Sequence, residues 1–242
     1  MARKSLVQGV FEDLLERILA GEIGPHDALP PEAQIAKASD VSRLTVREAL
    51  KTLQAQNIVY VRRGLGSFVN PPAQWTGLEA ILRAASRGVG PSQVALRLLE
   101  VRRMVETGAA ELAALHCSTA ELEQMDTAIR DLETAHQAQD LDAVTASDLA
   151  FHDAVFRASA NPFVPVLLGQ LGQLLYAARR ETSAFPEVQR HAIEHHKAVR
   201  KAIASKQPGA ARKAMEAHIN QTYEDYEHYI GNKNKTGVEQ HD

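Results

Sequence analysis

SRLTVREALKTLQAQNIVYVRRGLGSFVN, residues 42–70, changes its period midway. Up to Gln56 the apolar residues Val46, Leu50 and Leu53 recur three and four apart, the spacing of one helix face, and Ser42 stands where an N-cap hydroxyl belongs. From Ile58 the pattern alternates as IVYVRR, breaks at Gly64-Leu65-Gly66 and resumes as SFVN, which is a β-hairpin signal. Upstream, Leu6, Val10, Leu14, Ile18 and Leu19 mark a helix ending at Gly21, and Glu32 to Ala38 give a short second helix after a double proline. Helix, helix, turn, helix, hairpin is the order of a winged helix-turn-helix.

Downstream the texture changes. Asn70-Pro71-Pro72 stops the hairpin, and an alanine- and leucine-rich helical period follows with almost no β signal. The patterning predicts helices over 77–86, 91–116, 119–138, 140–159, 163–182, 186–205 and 208–229, separated by signals such as Asn161-Pro162, Phe185-Pro186 and Pro208-Gly209. The expected fold is therefore mainly α. A winged domain spans 1–72, an all-helical bundle 73–231 and a flexible polar tail 232–242.

A chain of 242 residues, 45% hydrophobic and 24% charged, suffices for one large or two ordinary domains with real cores. No apolar run approaches the roughly 18 residues of a membrane span, and the start lacks the h-region of a secretory signal, so a cytoplasmic protein with no membrane partner is expected. The single Cys117 excludes an intramolecular disulfide and a thiolate zinc cluster. A net charge of −3 argues against nucleic acid only if charge is spread evenly, and it is not. Lys37, Arg43, Arg47, Lys51, Arg62 and Arg63 crowd residues 37–63, opposed there only by Asp40 and Glu48.

If the helix begun by SRLTVREAL enters a major groove, its N-terminal turn and positive dipole end face DNA. Arg43, Leu44, Thr45 and Arg47 are then the outward residues, while Val46 and Leu50 hold the helix to its core. An arginine fork can bond guanine O6 and N7 together, and the hydroxyls of Ser42 and Thr45 can reach phosphates or base edges. Gly64 and Gly66 permit a tight wing whose backbone approaches the minor groove, with Arg62 and Arg63 on phosphates.

The stretch GEIGPHDALPPEAQIAKASDVSRLTVREALKTLQAQNIVYVRRGLGSFV, residues 21–69, resembles the DNA-binding domain of the GntR family of bacterial transcription regulators. Three departures stand out. His26-Asp27 replaces the usual glycine turn, Asn57 stands where glycine is usual before the hairpin, and Ala33 replaces an arginine that in many relatives touches DNA.

In the second region, Leu141, Val144, Leu149, Val155 and Phe156 define an apolar stripe into whose middle Asp148 and His152 project. A carboxylate on such a face needs pairing, hydrogen bonds or a metal. His196 lies nearest the centre of the apolar face set by Val188, Ala192, Val199 and Ile203, with His195 at its margin and His191 outside it; His218 shares a face with Ala211, Ala214, Met215 and Tyr226. Asp148, His152, His196 and His218 could thus converge from three helices, a donor set suited to Zn²⁺ and also to Ni²⁺, Mn²⁺ or Fe²⁺. Ordinary hydrogen-bonded core histidines are the competing explanation.

LLEVRRMVETGAAELAA, DLAFHDAVFRASANP, HHKAVRKAI and AMEAHI resemble the FCD effector-binding domain of the FadR subfamily, in which an aspartate and three histidines commonly hold a metal. In relatives the position of His195 is commonly glutamate, which favours His196 as ligand and keeps His195 as a substitute. The resemblance gives Arg102 and Asn161 roles in the effector pocket, Arg102 as a fork for a carboxylate and Asn161 as an amide contact. Without it, Arg102 reads as a surface ion pair with Glu106, and Asn161 as a cap before Pro162. The resemblance implies a homodimeric regulator, a repressor of a catabolic operon, released from a palindromic double-stranded DNA operator by a small organic acid. Two alternatives stay open: a metal-dependent hydrolase or lyase, and a regulator in which the metal is itself the signal.

Overall fold

Helix α1 (Leu6–Leu19) starts at Ser5, whose hydroxyl accepts from the backbone N–H of Gln8 at 3.1 Å. This is a computed structural model that describes residues 5–231; the tail expected over 232–242 lies outside them. Helices α2 (Glu32–Ala38) and α3 (Arg43–Ala55) follow, then an antiparallel pair β1 (Val59–Arg62) and β2 (Gly66–Val69). Val59 pairs with Val69 and Arg62 with Gly66. The turn between them needs Gly64 and Gly66, at φ 79° and 110°, where a Cβ is strained. Val10, Phe11, Leu14, Val46, Leu53 and Ile58 form the core beneath the wing. Asn57 takes the left-handed φ of 55° that a glycine would favour, and His26 sits at 71°, so both departures are accommodated in the backbone.

The first compact unit ends at Gly90, beyond the boundary expected at residue 72. Pro71 and Pro72 end the hairpin without ending the unit. Trp75 is buried in the winged core, with its indole N–H donating to the Asn70 carbonyl at 2.9 Å, and Ala80 of α4 (Leu78–Ser86) joins the same cluster.

The second unit begins at Pro91 and, among the described residues, is helical: α5 (Pro91–His116), α6 (Thr119–Ala138), α7 (Leu141–Ala158), α8 (Phe163–Gln170), α9 (Gly172–Thr182), α10 (Pro186–Ala204) and α11 (Pro208–Tyr226). A capping box of Ser118 and Glu121 starts α6, and Asp140 caps α7. Ala110, Met125, Phe151, Val199, Ile203 and Met215 draw α5, α6, α7, α10 and α11 around one core. The single helix expected over 163–182 is two, parted at Leu171 (φ −87°, ψ 0°). Gly169 and Gly172 bracket the break, and glycine weakens a helix interior by about 1 kcal/mol relative to alanine. After α11 the chain makes a wide π turn over Glu227–Gly231.

Candidate metal centre and nucleic-acid surface

The helices α7, α10 and α11 bring His152, His196 and His218 together, each fully buried, with ligand nitrogens within 4.8 Å of one another. Nε2 of His152 and Nε2 of His218 are 3.2 Å apart. The ring of Phe151 stacks on His196 with centroids 3.9 Å apart, holding that imidazole flat against the core. Asp148, one turn before His152, places Oδ1 3.4 Å from Nε2 of His196. Its other oxygen accepts from Nη1 of Arg179, so Asp148 stands beside the histidine group rather than within its tightest part. His195 is half-buried and outside that group.

Two charged residues complete the arrangement. Glu106 of α5, fully buried, sets Oε2 2.6 Å from Nδ1 of His152 and accepts from Nε of Arg102 at 2.7 Å through Oε1. Arg179 of α9 approaches the same Oε1 at 3.9 Å. Arg102 does pair with Glu106, yet the pair is buried rather than on the surface. Burial alone would raise the Glu106 carboxyl; Arg102, His152 and Arg179 outweigh it and hold the group well below the usual carboxylate range. Burial pushes all three imidazoles down, assisted at His196 by His152 and the arginines, at His218 by the other two histidines, and opposed at His152 by Glu106. They are therefore neutral near pH 7, the form that binds metal.

The donors fit a divalent cation. His196 is buried with no hydrogen bond at either ring nitrogen among the described residues, and an unsatisfied buried polar group costs about 1–3 kcal/mol. Glu106 at Nδ1 of His152 is the carboxylate partner that orients a ligating imidazole and leaves Nε2 for the ion. Nη2 of Arg102 and Nε of Arg179 are likewise buried without a hydrogen bond among the described residues, and both side chains line a small cavity, walled mostly by polar residues, that Asp148 and His218 also reach. Asn161 is elsewhere: its Oδ1 accepts from the Phe163 N–H at 3.0 Å as a cap, and it does not line that cavity.

In the first unit Ser42 caps α3, accepting from Thr45 N at 3.1 Å, and its hydroxyl also meets the Thr45 hydroxyl at 2.9 Å. Arg43, Leu44 and Arg47 are exposed, Leu44 by 67%, and Thr45 is half-buried. Nε of Arg47 donates to Glu32 at 2.8 Å, a pair that sequence spacing does not suggest. Arg62, Arg63, Gly64 and Gly66 are exposed on the wing, with the Arg62 guanidinium 5.4 Å above the Phe68 ring.

A winged helix-turn-helix joined in one chain to a helical bundle is the architecture of a transcription regulator. Residues 6–69 match the bacterial regulatory proteins of the gntR family and residues 97–221 match the FCD domain, and the chain belongs to the GntR family of transcription regulators, in its FadR-type branch. The HTH-type transcriptional regulator LutR of Bacillus subtilis is 32% identical over 205 residues, covering 82% of this chain and 91% of that protein. The galactonate operon transcriptional repressor of Escherichia coli is 27% identical, covering 82% and 87% respectively. Among solved structures, Streptococcus agalactiae GntR is 28% identical with a TM-score of 0.51, covering 88% of this chain and 96% of that one. The family and these relatives are transcription regulators and not enzymes, which overturns the hydrolase or lyase alternative. Among the described residues no helix is long and apolar enough to cross a membrane.

Proposed function

We propose that this protein is a homodimeric repressor of a catabolic operon whose hold on a palindromic operator is released by a small organic acid at a metal centre. The observation that carries the reading is the group of three buried imidazoles within 4.8 Å, set beside Arg102 and Arg179 at a small cavity. His152, His196, His218 and Asp148 would hold the ion, zinc foremost and nickel, manganese or iron as substitutes. When bound, it would supply a Lewis-acidic positive centre that attracts a carboxylate. Arg102 adds a buried guanidinium with a free donor, and Asn161 is the weaker member of the effector set because it faces its own helix cap. A repressor name in the galactonate relative and an FCD match over residues 97–221 support the same direction of control.

On the operator side, Arg43 and Arg47 read base edges, Ser42, Leu44 and Thr45 complete the helix surface, and Arg62, Arg63, Gly64 and Gly66 seat the wing on the backbone. Two copies place two recognition helices on the two half-sites. An acid can release them only by binding better to the arrangement in which those helices no longer match the DNA. Gel-shift titration of the zinc-loaded protein with a panel of acids tests the reading: no acid changing operator affinity refutes it. If the metal is itself the signal, a chelator alone will change operator affinity; under the present reading it mainly abolishes the response to acid.

A further inference from the structure

Leu44 is out of keeping with the face it occupies. It stands on the first turn of α3, 67% exposed, and at helical spacing it shares a face with Arg47 and Lys51, both exposed. The charged members of that face have partners of their own. Nε of Arg47 donates to Glu32 at 2.8 Å, which leaves the two terminal nitrogens for a base, and Lys51 donates to Glu48 at 2.9 Å. Leu44 belongs to no core: from α3 the winged cluster takes Val46, Ala49 and Leu53, with Leu50 packed against its edge. A single exposed leucine is ordinary on a protein surface, but this one lies between Arg43 and Thr45 on the turn that the operator reading places in the major groove.

The edges of the bases in that groove are mostly hydrogen-bonding groups, and a leucine can answer none of them. The exception is the C5 methyl of thymine, an apolar group that the major groove presents. Covering it takes apolar surface of both partners out of water, whereas a polar edge pressed against Leu44 loses hydrogen bonds to water and gains none. The other exposed apolar side chains near the DNA-facing surface are Val61 of β1 and Leu65 of the wing turn. A wing in the minor groove meets no methyl, because thymine carries it on the major-groove side. Thr45 is half-buried, with its hydroxyl tied to Ser42.

We infer that Leu44 is a specificity-determining residue that packs on the C5 methyl of a thymine in each operator half-site. This rests on the operator reading above. The test starts from duplexes enriched out of a random DNA library by the full zinc-loaded chain without acid. Each thymine of an enriched duplex is then replaced in turn by uracil, which deletes the methyl and keeps every hydrogen-bonding group. One thymine per half-site is expected to lose about three- to fivefold in affinity by gel shift at fixed salt, the scale of one buried methyl. Leu44→Ala, checked for an unchanged circular dichroism spectrum, should bind the thymine and uracil duplexes alike at that position and keep its preference elsewhere in the site. Leu44→Met, which keeps an apolar side chain of similar size, should retain the discrimination. No uracil-sensitive position, or one as sensitive in Leu44→Ala as in the wild type, overturns the assignment to Leu44 and leaves operator binding standing. Enrichment of no sequence from the library overturns the operator reading itself.

Discussion

Replacing Glu106 by glutamine keeps the shape of the side chain and removes the charge on which three groups depend. In the wild type one carboxylate meets Nε of Arg102 at 2.7 Å, Nδ1 of His152 at 2.6 Å and Nη2 of Arg179 at 3.9 Å, with no exposure to water. In the variant, Arg179 keeps the carboxylate of Asp148, while the buried Arg102 loses the carboxylate it is paired with. Removing one partner of a buried ion pair costs about 3–5 kcal/mol. A helical unit of this size loses roughly 2–4 °C of melting temperature per kcal/mol, so the chelated Glu106→Gln protein should melt about 6–20 °C below the chelated wild type by far-ultraviolet circular dichroism. Zinc affinity, measured by competition with a chromogenic chelator, should fall about 10- to 100-fold, because the ring of His152 loses the partner that orients it. The depressed carboxyl also sets a sign. Its contribution is complete above the ordinary value of 4.5 and is lost as pH falls from there toward the folded value, so the gap between the proteins should narrow in acid. A melting temperature within about 2 °C of wild type together with unchanged zinc affinity would refute this account of Glu106.

Three further outcomes follow from other sites. In chelated protein the lowered pKa values of His152, His196 and His218 mean that the unfolded chain takes up protons below pH 6.5 before the folded chain does. Stability is thus full above that pH and drops below it by up to about 1.4 kcal/mol per imidazole per pH unit, and urea unfolding at about pH 7.5 and 5.5 measures the difference. Arg43→Ala and Arg47→Ala should each relax preference at one operator position by about 1–3 kcal/mol, whereas Arg62→Ala should weaken all sequences alike and lower the salt slope by about 0.9; binding assays across single-base operator variants and salt separate the two patterns. Ser42→Ala removes the cap that accepts from Thr45 N at 3.1 Å and should cost the winged unit about 1 kcal/mol, read from chemical denaturation.

The winged unit was legible because its signals are local: a cap at Ser42, a helix period through Leu53, alternation through Val61 and glycines at the turn. The histidine cluster could be read because Asp148, His152, His196 and His218 interrupt apolar faces, and the structure buries all four. Glu106 carried the same signal in weaker form. It lies on the buried line of Leu99, Arg102, Ala109 and Ala113, but four residues from an arginine it looks like half of a solvent-facing pair. Arg179 carried a comparable signal, standing at helical spacing from the buried Leu168 and Leu175 while its neighbour Arg180 is exposed, but beside a second arginine it looks like part of a solvated face. The extent of the winged unit escaped detection because Pro71 and Pro72 end hydrogen bonding along a strand, while the packing of Trp75 and Ala80 is a matter of three dimensions.

The burial of Trp75 has an optical consequence. It is the sole tryptophan of the chain, and it lies in the winged core, hydrogen-bonded to Asn70. Indole emission is therefore a native reporter for that unit alone, silent to melting of the helical bundle, whose chromophores are tyrosines and phenylalanines. An emission change when an acid is added to labelled-free protein would be a message received at the DNA-reading end from a ligand held at the other, with no dye attached.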